Sequence, residues 1–289
     1  MLDKIYARSA ILIFWLLSFL PLSCLHILGT FSGIVMWIFP GRYKRRAREN
    51  FQQAFQNRGA FVDCLVLIEM MKMYLELPYL WAPRNFQRLN KLVSSGDWGP
   101  IDRALALGKG AIFVSAHVGC FEMLLPYITQ RYSGVGIFKI PRKNWIKLFL
   151  SRFRKYPNLQ MVPANSRGVK ELIGTLQKGR PIGILADHIP PEGGGVYAPF
   201  FGRPAYTMNL IKRLQLIRES PIFIVGVERL NRSKGYRFHA IALGELLSDD
   251  HQLAATQINK ALEELISIMP NQYLWGYNRY KQPRPGPKS

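Results

Sequence analysis

The chain has 289 residues, enough for one large domain or two ordinary ones, and its hydrophobic fraction of 48% is that of a folded protein. Its 39 Lys and Arg against 18 Asp and Glu give a net charge of +21, which predicts an anionic partner: nucleic acid, anionic lipid or an acidic protein. Three scattered cysteines without a CxxC spacing argue against a disulfide framework and a zinc site, and they favour a reducing compartment.

The amino-terminal segment 9–39 carries no Asp, Glu, Lys or Arg over 31 residues, which predicts a membrane anchor because about 20 apolar residues cross a bilayer. Two forms are open: a single spanning helix followed by an interfacial stretch, or an element kinked at Pro21 that dips into one leaflet. A signal peptide is the main rival, since Lys4 and Arg8 precede the run. However, the run is long and lacks a cleavage site with a polar sequel.

Five basic residues in eight follow the apolar segment, between Gly41 and Arg48. Positive charge beside an apolar span is usually cytoplasmic, and it also attracts anionic headgroups. We therefore expect residues 1–45 to form the anchor. Residues 46–289 would then form a domain on the cytoplasmic face of a membrane.

The rest of the chain alternates between the apolar patterns of helices and of strands. The amphipathic spacing of residues 46–82 predicts helices. Further helices are expected at 101–108, from about 120, and at 144–155, 166–177, 206–218 and 251–268. Strands are expected at 111–116, 136–140, 160–162, 182–186, 222–228 and 237–242. The alternation predicts an α/β fold with a sheet sandwiched by helices, in which active-site residues collect at strand ends.

The apolar run 111–116 ends at His117, and Glu122 follows five residues later. On one helix these two side chains would lie about 140° apart. They converge if His117 leaves a strand and Glu122 begins a helix, and Gly119 permits the turn between them. A histidine oriented by a carboxylate is a general base. The alternative is a structural histidine beside a solvated glutamate.

A second carboxylate, Asp187, ends the strand at 182–186, and His188 follows it. Asp187 either orients an arginine or a histidine or caps the turn that follows. His117 and His188 have no recognisable metal-ligand spacing, so no metal site and no cofactor are predicted. The glycines at 193–195 lack the pattern of a phosphate-binding loop.

Basic residues without any acid dominate the segment around a predicted helix at 144–155; they are Lys139, Arg142, Lys143, Lys147, Arg152, Arg154 and Lys155. With the apolar face of Trp145, Leu148 and Phe149, this helix suits a membrane surface or an acidic protein, and the alternative is a solvated face. The tail from Trp275 is also basic, and its Trp and Tyr residues fit an interfacial belt. A nucleic-acid-binding role is not expected, because no helix-turn-helix or aromatic RNA-binding signature is present.

Taken in order, these segments resemble the lipid A biosynthesis (late) acyltransferase family, within the wider lysophospholipid acyltransferase superfamily. The resemblance covers almost the whole chain. It includes the amino-terminal apolar element with its basic sequel and Asn50, H-x4-[DE] as His117 and Glu122, Ser151–Arg154, Leu185–Asp187, Val196–Gly202 and Pro270–Lys281. His188 stands where the family commonly has Gln, and Tyr277-Asn-Arg stands where it commonly has His-Arg-Arg. These departures bear on the acceptor lipid.

The resemblance implies a glycerolipid acyltransferase-like α/β fold with a mixed sheet and a transmembrane or membrane-embedded amino-terminal helix. It also implies transfer of a fatty acyl chain from a thioester to a glycolipid hydroxyl, without a covalent acyl-enzyme. His117 would be the base and Glu122 would fix its tautomer, while Arg154, placed by Asp187, would stabilise the oxyanion or bind a lipid phosphate. The residues expected to bind substrate are Arg152, Lys139, Arg142, Arg203 and Arg279.

The implied donor is acyl carrier protein, and the implied acceptor is an anionic lipid A precursor at the cytoplasmic face of a bacterial inner membrane. Acyl-coenzyme A is an alternative donor. A phosphatidylinositol mannoside, a lysophospholipid or another envelope lipid is an alternative acceptor. Cys120 lies near the predicted dyad and is an alternative, nucleophilic residue.

Overall fold

The computed structural model describes residues 2–56, 59, 61–94, 98–141, 143–153 and 156–284. Within these ranges the α-helices are α1 (Leu2–Leu17), α2 (Leu22–Ile38), α3 (Arg42–Phe55), α4 (Val62–Leu80), α5 (Leu89–Leu92), α6 (Gly99–Ala106), α7 (Phe121–Ile128), α8 (Asn144–Phe153), α9 (Ser166–Gln177), α10 (Leu210–Gln215) and α11 (His251–Ile268). The strands are β1 (Val93–Ser94), β2 (Ala111–Ser115), β3 (Gly134–Phe138), β4 (Leu159–Pro163), β5 (Pro181–Leu185), β6 (Gly195–Phe200), β7 (Arg203–Met208), β8 (Ile222–Arg229) and β9 (Tyr236–Leu243). Short 3-10 helices span Pro83–Arg88, Asn231–Ser233 and Pro270–Gln272.

The main sheet has seven described strands in the order β1-β9-β8-β2-β5-β3-β4. Neighbouring strands are parallel except for β8 and β9, which are antiparallel. The central strand β2 is buried along its whole length. Its side chains alternate between the two cores, with Ile112 and Val114 on one face of the sheet and Ala111 and Phe113 on the other. The predicted mixed sheet between helical layers is therefore confirmed.

The predicted helix at 206–218 is wrong over its first part, because Tyr206, Thr207 and Met208 belong to strand β7. β6 and β7 form an antiparallel hairpin of their own. Its two loop residues, Phe201 and Gly202, have φ of +47° and +75°. Positive φ at both loop residues is the geometry of a type I′ turn, whose twist matches that of the paired strands. Only α10 remains helical in this region.

The amino-terminal apolar segment forms two helices, α1 and α2, separated near Pro21. No single helix in the described part of the chain is long and apolar enough to cross a membrane; α2 and α3, bent by 96°, reach that length and composition only as a pair. α1 also covers part of α8, since Phe14 lies 5.0 Å from Phe149 and 4.5 Å from Phe153 between ring centroids. The apolar face of the basic helix α8 is thus partly used within the protein.

Helix α2 packs closely on α4 through two glycines one turn apart. A Cβ atom on Gly29 would lie 2.7 Å from the Cα of Lys72, and one on Gly33 would collide with the backbone of Ile68. Both contacts would be closer than two carbon atoms can approach without a bond. The two helices can therefore pack this closely only because neither glycine has a side chain.

We predict that Gly33→Ala lowers the free energy of unfolding by about 1–3 kcal/mol, because the added methyl group overpacks the α2–α4 contact. Gly174→Ala in α9 is the matched control, since nothing lies within 4 Å of a Cβ atom there. That control should be neutral or stabilising by about 0.5–1 kcal/mol, the helix preference of Ala over Gly. Urea unfolding of both variants in detergent measures the difference, and equal stabilities would contradict the close packing.

Candidate active site

The site is built at the ends of two adjacent parallel strands. β2 and β5 pair in register, with Ser115 opposite Leu185, so His117 and Asp187 each stand two residues beyond a matched pair. Their side chains meet there: Nδ1 of His117 lies 2.9 Å from Oδ1 and 3.1 Å from Oδ2 of Asp187. The backbone N–H of His117 also donates to Oδ2 at 3.0 Å. The sheet register therefore produces a histidine–carboxylate pair.

Asp187 is fully buried. Burial alone would raise the pKa of its carboxyl, but the charge and hydrogen bonds of His117 outweigh burial and hold that pKa well below its ordinary value. Asp187 is accordingly ionised, and because a carboxylate only accepts hydrogen bonds, the proton between the two groups lies on Nδ1 of His117. In the uncharged ring this tautomer places the lone pair on Nε2, the atom that a general base would use.

The loop that carries His117 is clamped from two sides. Gly119 has φ of +60°, confirming the predicted turn, and a Cβ atom there would collide with the carbonyl of Val227. The N–H of Gly119 donates to the carbonyl of Gln272 at 3.0 Å. The N–H of Leu274 donates to the carbonyl of His117 at 2.9 Å. The carboxyl-terminal segment thus fixes the backbone on both sides of the histidine.

This arrangement corrects the interpretation of the tail as an interfacial belt. Trp275 is buried, and its indole N–H donates to the carbonyl of Pro270 at 2.7 Å. Asn50, noted in the sequence, donates to the carbonyl of Trp275 at 2.8 Å. Tyr273 is buried as well. These side chains are part of the support beneath the His117 loop.

A cavity of about 640 Å³ opens beside His117, within the range of roughly 300–1,000 Å³ found for small-molecule sites. Its walls are mostly apolar and come from the ends of β5, β3 and β4 and from α7, α8 and α9. Leu125, Ile184 and Met161 are examples of these wall residues. The cavity therefore runs from the histidine across three neighbouring strands and suits an elongated apolar ligand.

Glu122 lies in the first turn of α7, as predicted, and lines the same cavity as His117. The carboxylate bonded to Nδ1 of His117 is nevertheless Asp187, which takes the orienting role that the sequence analysis gave to Glu122. The spacing of His117 and Glu122 carries no information about strand order, and strand order decides this partner. Burial and then the charge of Glu122 raise the pKa of Tyr74, which also lines the cavity.

The basic residues expected to bind substrate are distributed unevenly. Lys139 lines the cavity. Arg152 is exposed in the last turn of α8 and does not line it. Arg142 and Arg154 lie outside the described residues, so the roles predicted for them, including the placement of Arg154 by Asp187, stay predictions.

Two further arginines are held elsewhere. The guanidinium of Arg203 lies 4.0 Å from the ring centroid of Tyr280. Arg279 is only 2% exposed, and it donates to the carbonyl of Tyr206 at 2.7 Å and to Oγ1 of Thr207 at 2.8 Å. The structure brings neither residue to the cavity. Arg279 instead attaches the carboxyl-terminal segment to the β6–β7 hairpin.

Sequence reasoning missed two aromatic neighbours of His117. The ring of His188 lies 4.6 Å from that of His117, edge to face, and it lines the cavity. The ring of Tyr277 lies 6.1 Å from that of His117 in a near-parallel arrangement. The signal for His188 was its place directly after Asp187, and the signal for Tyr277 was its place in the closing motif. Burial and then the charge of His117 lower the pKa of His188 to about 4, so His188 is neutral near pH 7.

The nucleophilic alternative at Cys120 gains no support. The thiol is buried, and burial raises its pKa well above the ordinary value, which disfavours the reactive thiolate. Among the described residues, no group of three or more His, Cys, Asp or Glu side chains is arranged to hold a metal ion.

Comparison with known proteins gives consistent matches. A family model described as "Bacterial lipid A biosynthesis acyltransferase" matches residues 3–282. The lipid A biosynthesis palmitoleoyltransferase of Escherichia coli (strain K12) is 24% identical over 276 residues, covering 93% of this chain and 89% of that protein. The lipid A biosynthesis lauroyltransferase of the same organism is 23% identical over 283 residues, with the same coverage of both chains. A lipid A biosynthesis acyltransferase of Haemophilus influenzae is 21% identical, covering 90% of this chain and 82% of that protein.

The lowered pKa of His188 predicts a pH-dependent stability. The unfolded chain binds a proton at this ring below about pH 6.5, but the folded protein does so only near pH 4. The contribution of His188 to the free energy of unfolding should therefore be fully present above pH 6.5, and it should fall by up to roughly 3 kcal/mol as the pH drops towards 4. His188→Gln should remove this component, while His251→Gln, at an exposed position, should keep it. Urea unfolding at pH 7, 5.5 and 4.5 measures the slopes, and identical slopes for all three proteins would contradict the assignment.

Proposed function

The chain belongs to the bacterial lipid A biosynthesis acyltransferase family and is an acyltransferase, and from this premise we propose its substrates and mechanism. It transfers a fatty acyl chain from the thioester of acyl carrier protein to a hydroxyl of a lipid A precursor. The observation that carries the proposal is the hydrogen bond between His117 and Asp187 beside a mostly apolar cavity of about 640 Å³. A base beside an acyl-sized apolar space is what this transfer requires.

The reaction follows from the protonation state of the dyad. Nε2 of His117 takes the proton of the acceptor hydroxyl as its oxygen attacks the thioester carbonyl carbon. The new C–O bond gives a tetrahedral oxyanion, and collapse of the oxyanion breaks the C–S bond. The imidazolium then returns its proton to the departing thiolate, so the ester and a thiol are the products. Asp187 stabilises the imidazolium throughout, because it is ionised and bonded to Nδ1. General-base catalysis of this kind accelerates a reaction by about 10²- to 10⁴-fold.

The remaining residues of the cavity are assigned by position. Glu122 and Tyr74 line the cavity with His117, and we assign them to the orientation of the acceptor hydroxyl. His188 is a neutral neighbour of His117, which limits repulsion when the imidazolium forms. The apolar walls over β5, β3 and β4 hold the acyl chain. Lys139 in the cavity wall suits a phosphate of either substrate.

We assign acyl carrier protein as the donor because basic side chains near the cavity suit a small acidic protein. Lys143, Lys147 and Arg152 are exposed on or beside α8, and Leu150 of the same helix lines the cavity. A small acidic carrier docked on these side chains would present its thioester at the cavity entrance. The predicted positions Arg142 and Arg154 belong to this basic stretch in sequence and are assigned with it.

Residues 1–45 are proposed to act as a membrane-embedded anchor for the acyltransferase domain at 46–289, on the cytoplasmic face of the bacterial inner membrane. Large apolar side chains of α1 and α2 point outward; Leu12, Ile13, Leu16, Ile27, Phe31 and Ile38 are each more than half exposed. Patches of this kind mark membrane or protein contacts. The basic start of α3 follows directly, as expected for contact with anionic headgroups.

We expect the purified full-length protein, in detergent, to add one acyl chain to a lipid A precursor from acyl carrier protein thioester, as read by mass spectrometry. His117→Ala should lower the rate by about 10²- to 10⁴-fold, because no other group is assigned as base. His251→Ala, at an exposed position on α11, is the matched control and should keep full activity.

Parallel assays with acyl-coenzyme A, and with a lysophospholipid as acceptor, separate the alternatives. Transfer only to the lysophospholipid would overturn the proposed acceptor, and transfer only from coenzyme A would overturn the proposed donor. A His117→Ala rate within a few-fold of wild type would overturn the mechanism.

A further inference from the structure

A second cavity of about 310 Å³ lies between α2, α4 and the 3-10 helix Asn231–Ser233. Among the described residues it shares no wall with the cavity at His117. Its polar side chains include the hydroxyls of Ser23, Thr30 and Ser233. The mechanism above uses none of these groups.

One wall of this second cavity is a buried ionic network. Arg229 is 4% exposed, and it donates from Nε to Glu76 at 2.9 Å and from a terminal nitrogen to Glu69 at 2.8 Å. Glu76 also accepts from the Tyr236 hydroxyl at 2.8 Å. Burial opposes ionisation of Glu76, but the charge of Arg229 lowers its pKa to about 2, so both partners are charged. A fully bonded network of this kind is rigid, and it fixes the shape of the cavity.

Helix α2 is tied to the same network. Nε2 of His26 lies 3.1 Å from Glu76, and Nδ1 of His26 lies 3.0 Å from Oγ of Ser233. The α2 backbone and the 3-10 helix are thereby held at a fixed separation. The cavity between them is a built feature of the fold and not a gap between loose loops.

The charges around the cavity favour an anion. Three cations, Lys72, Arg229 and Arg232, face two carboxylates, Glu69 and Glu76, which leaves one positive charge in excess before His26 is counted. Arg229 is occupied by the carboxylates, and Lys72 bonds Glu69 at 2.7 Å. Arg232 is exposed and forms no ion pair with the residues that the structure describes, so its guanidinium is available to a ligand.

The amino terminus of α2 adds to this positive field. Pro21 precedes the helix without a side-chain cap, and the first turn contains no acidic residue. Ser23, in this first turn, lines the cavity. The backbone N–H groups of the first turn and the positive end of the helix dipole are favourable for a phosphate oxygen.

The surface of α2 next to this cavity is apolar, which favours an anion that also carries hydrocarbon chains. Ile27 lines the cavity and is 68% exposed, and Phe31, one turn further along α2, is also 68% exposed. A free anion makes no use of an adjoining apolar face. A molecule with a phosphate group and hydrocarbon chains uses both surfaces together.

We propose that this cavity binds the phosphate group of an anionic membrane lipid whose chains lie along the exposed face of α2. The site is separate from the acyl-transfer centre. It holds α2 at a defined depth and rotation in the membrane surface. Only the statement that this site faces a membrane rests on the proposed function.

The test is binding of the full-length protein to phosphatidylcholine vesicles with and without phosphatidic acid, in a cosedimentation assay. Arg232→Asn is the principal variant, because Arg232 has φ of +56° and asparagine tolerates this conformation. We expect it to weaken binding to phosphatidic acid vesicles by about tenfold, the size of a lost charge-assisted hydrogen bond. Lys72→Met, which keeps the apolar stem, should weaken it in the same direction.

Arg167→Asn is the matched control, since Arg167 is exposed on α9 and lines neither cavity. It should change binding less than twofold. Equal losses in the Arg232 and Arg167 variants would overturn the proposal, because the attraction would then be diffuse charge. Inorganic phosphate is the second arm: saturable binding of free phosphate at Arg232, without preference for phosphatidic acid vesicles, would also overturn the lipid assignment.

The acyl-transfer assay on detergent-solubilised substrates is a separate readout. Loss of vesicle binding with transfer retained supports a lipid site apart from the catalytic centre. Loss of transfer in Arg232→Asn with vesicle binding unchanged would contradict it. Failure of the proposed acyl transfer itself leaves the vesicle comparison intact.

Discussion

The contact on which the account rests is the hydrogen bond between His117 and Asp187. Two parallel strands in register deliver these residues side by side, and the backbone N–H of His117 binds the same carboxylate. An isolated carboxylate in this buried position would be costly, and its bonds to His117 are what keep it ionised. The ionised Asp187 thus orients the His117 ring, and the contacts from His117 in turn keep Asp187 ionised.

The second constraint is long-range and comes from the end of the chain. Gln272 and Leu274 bond the loop at His117 and Gly119 from about 155 residues away in sequence. Asn50 and Arg279 fix the same segment to α3 and to the β6–β7 hairpin. The segment 272–279 is thus structural support for the His117 loop, and the basic residues proposed to meet anionic substrates lie at α8 and at the cavity wall.

Much of the fold follows from local pattern. Apolar runs predicted six of the seven described strands of the main sheet, all except the two-residue strand β1, and the spacing of apolar residues predicted α9 and α11 at their observed bounds. The β6–β7 hairpin was missed because its turn, Phe201-Gly202, lacks the usual asparagine or aspartate signal. The position of His117 and Asp187 after strands was predictable, since parallel strands place their carboxyl ends at one edge. The choice of Asp187 over Glu122 as the Nδ1 partner was not, because it depends on β2 and β5 being neighbours.

The most direct measurement is the single-turnover rate of acyl transfer by Asp187→Asn, with its fold verified by unfolding. An amide at this position no longer fixes the Nδ1–H tautomer or stabilises the imidazolium, so the account predicts a loss of about 10²- to 10⁴-fold. Asp249→Asn, at an exposed carboxylate on the surface, should leave the rate unchanged. A folded Asp187→Asn enzyme that transfers acyl chains within a few-fold of the wild-type rate would contradict the central role of the His117–Asp187 pair.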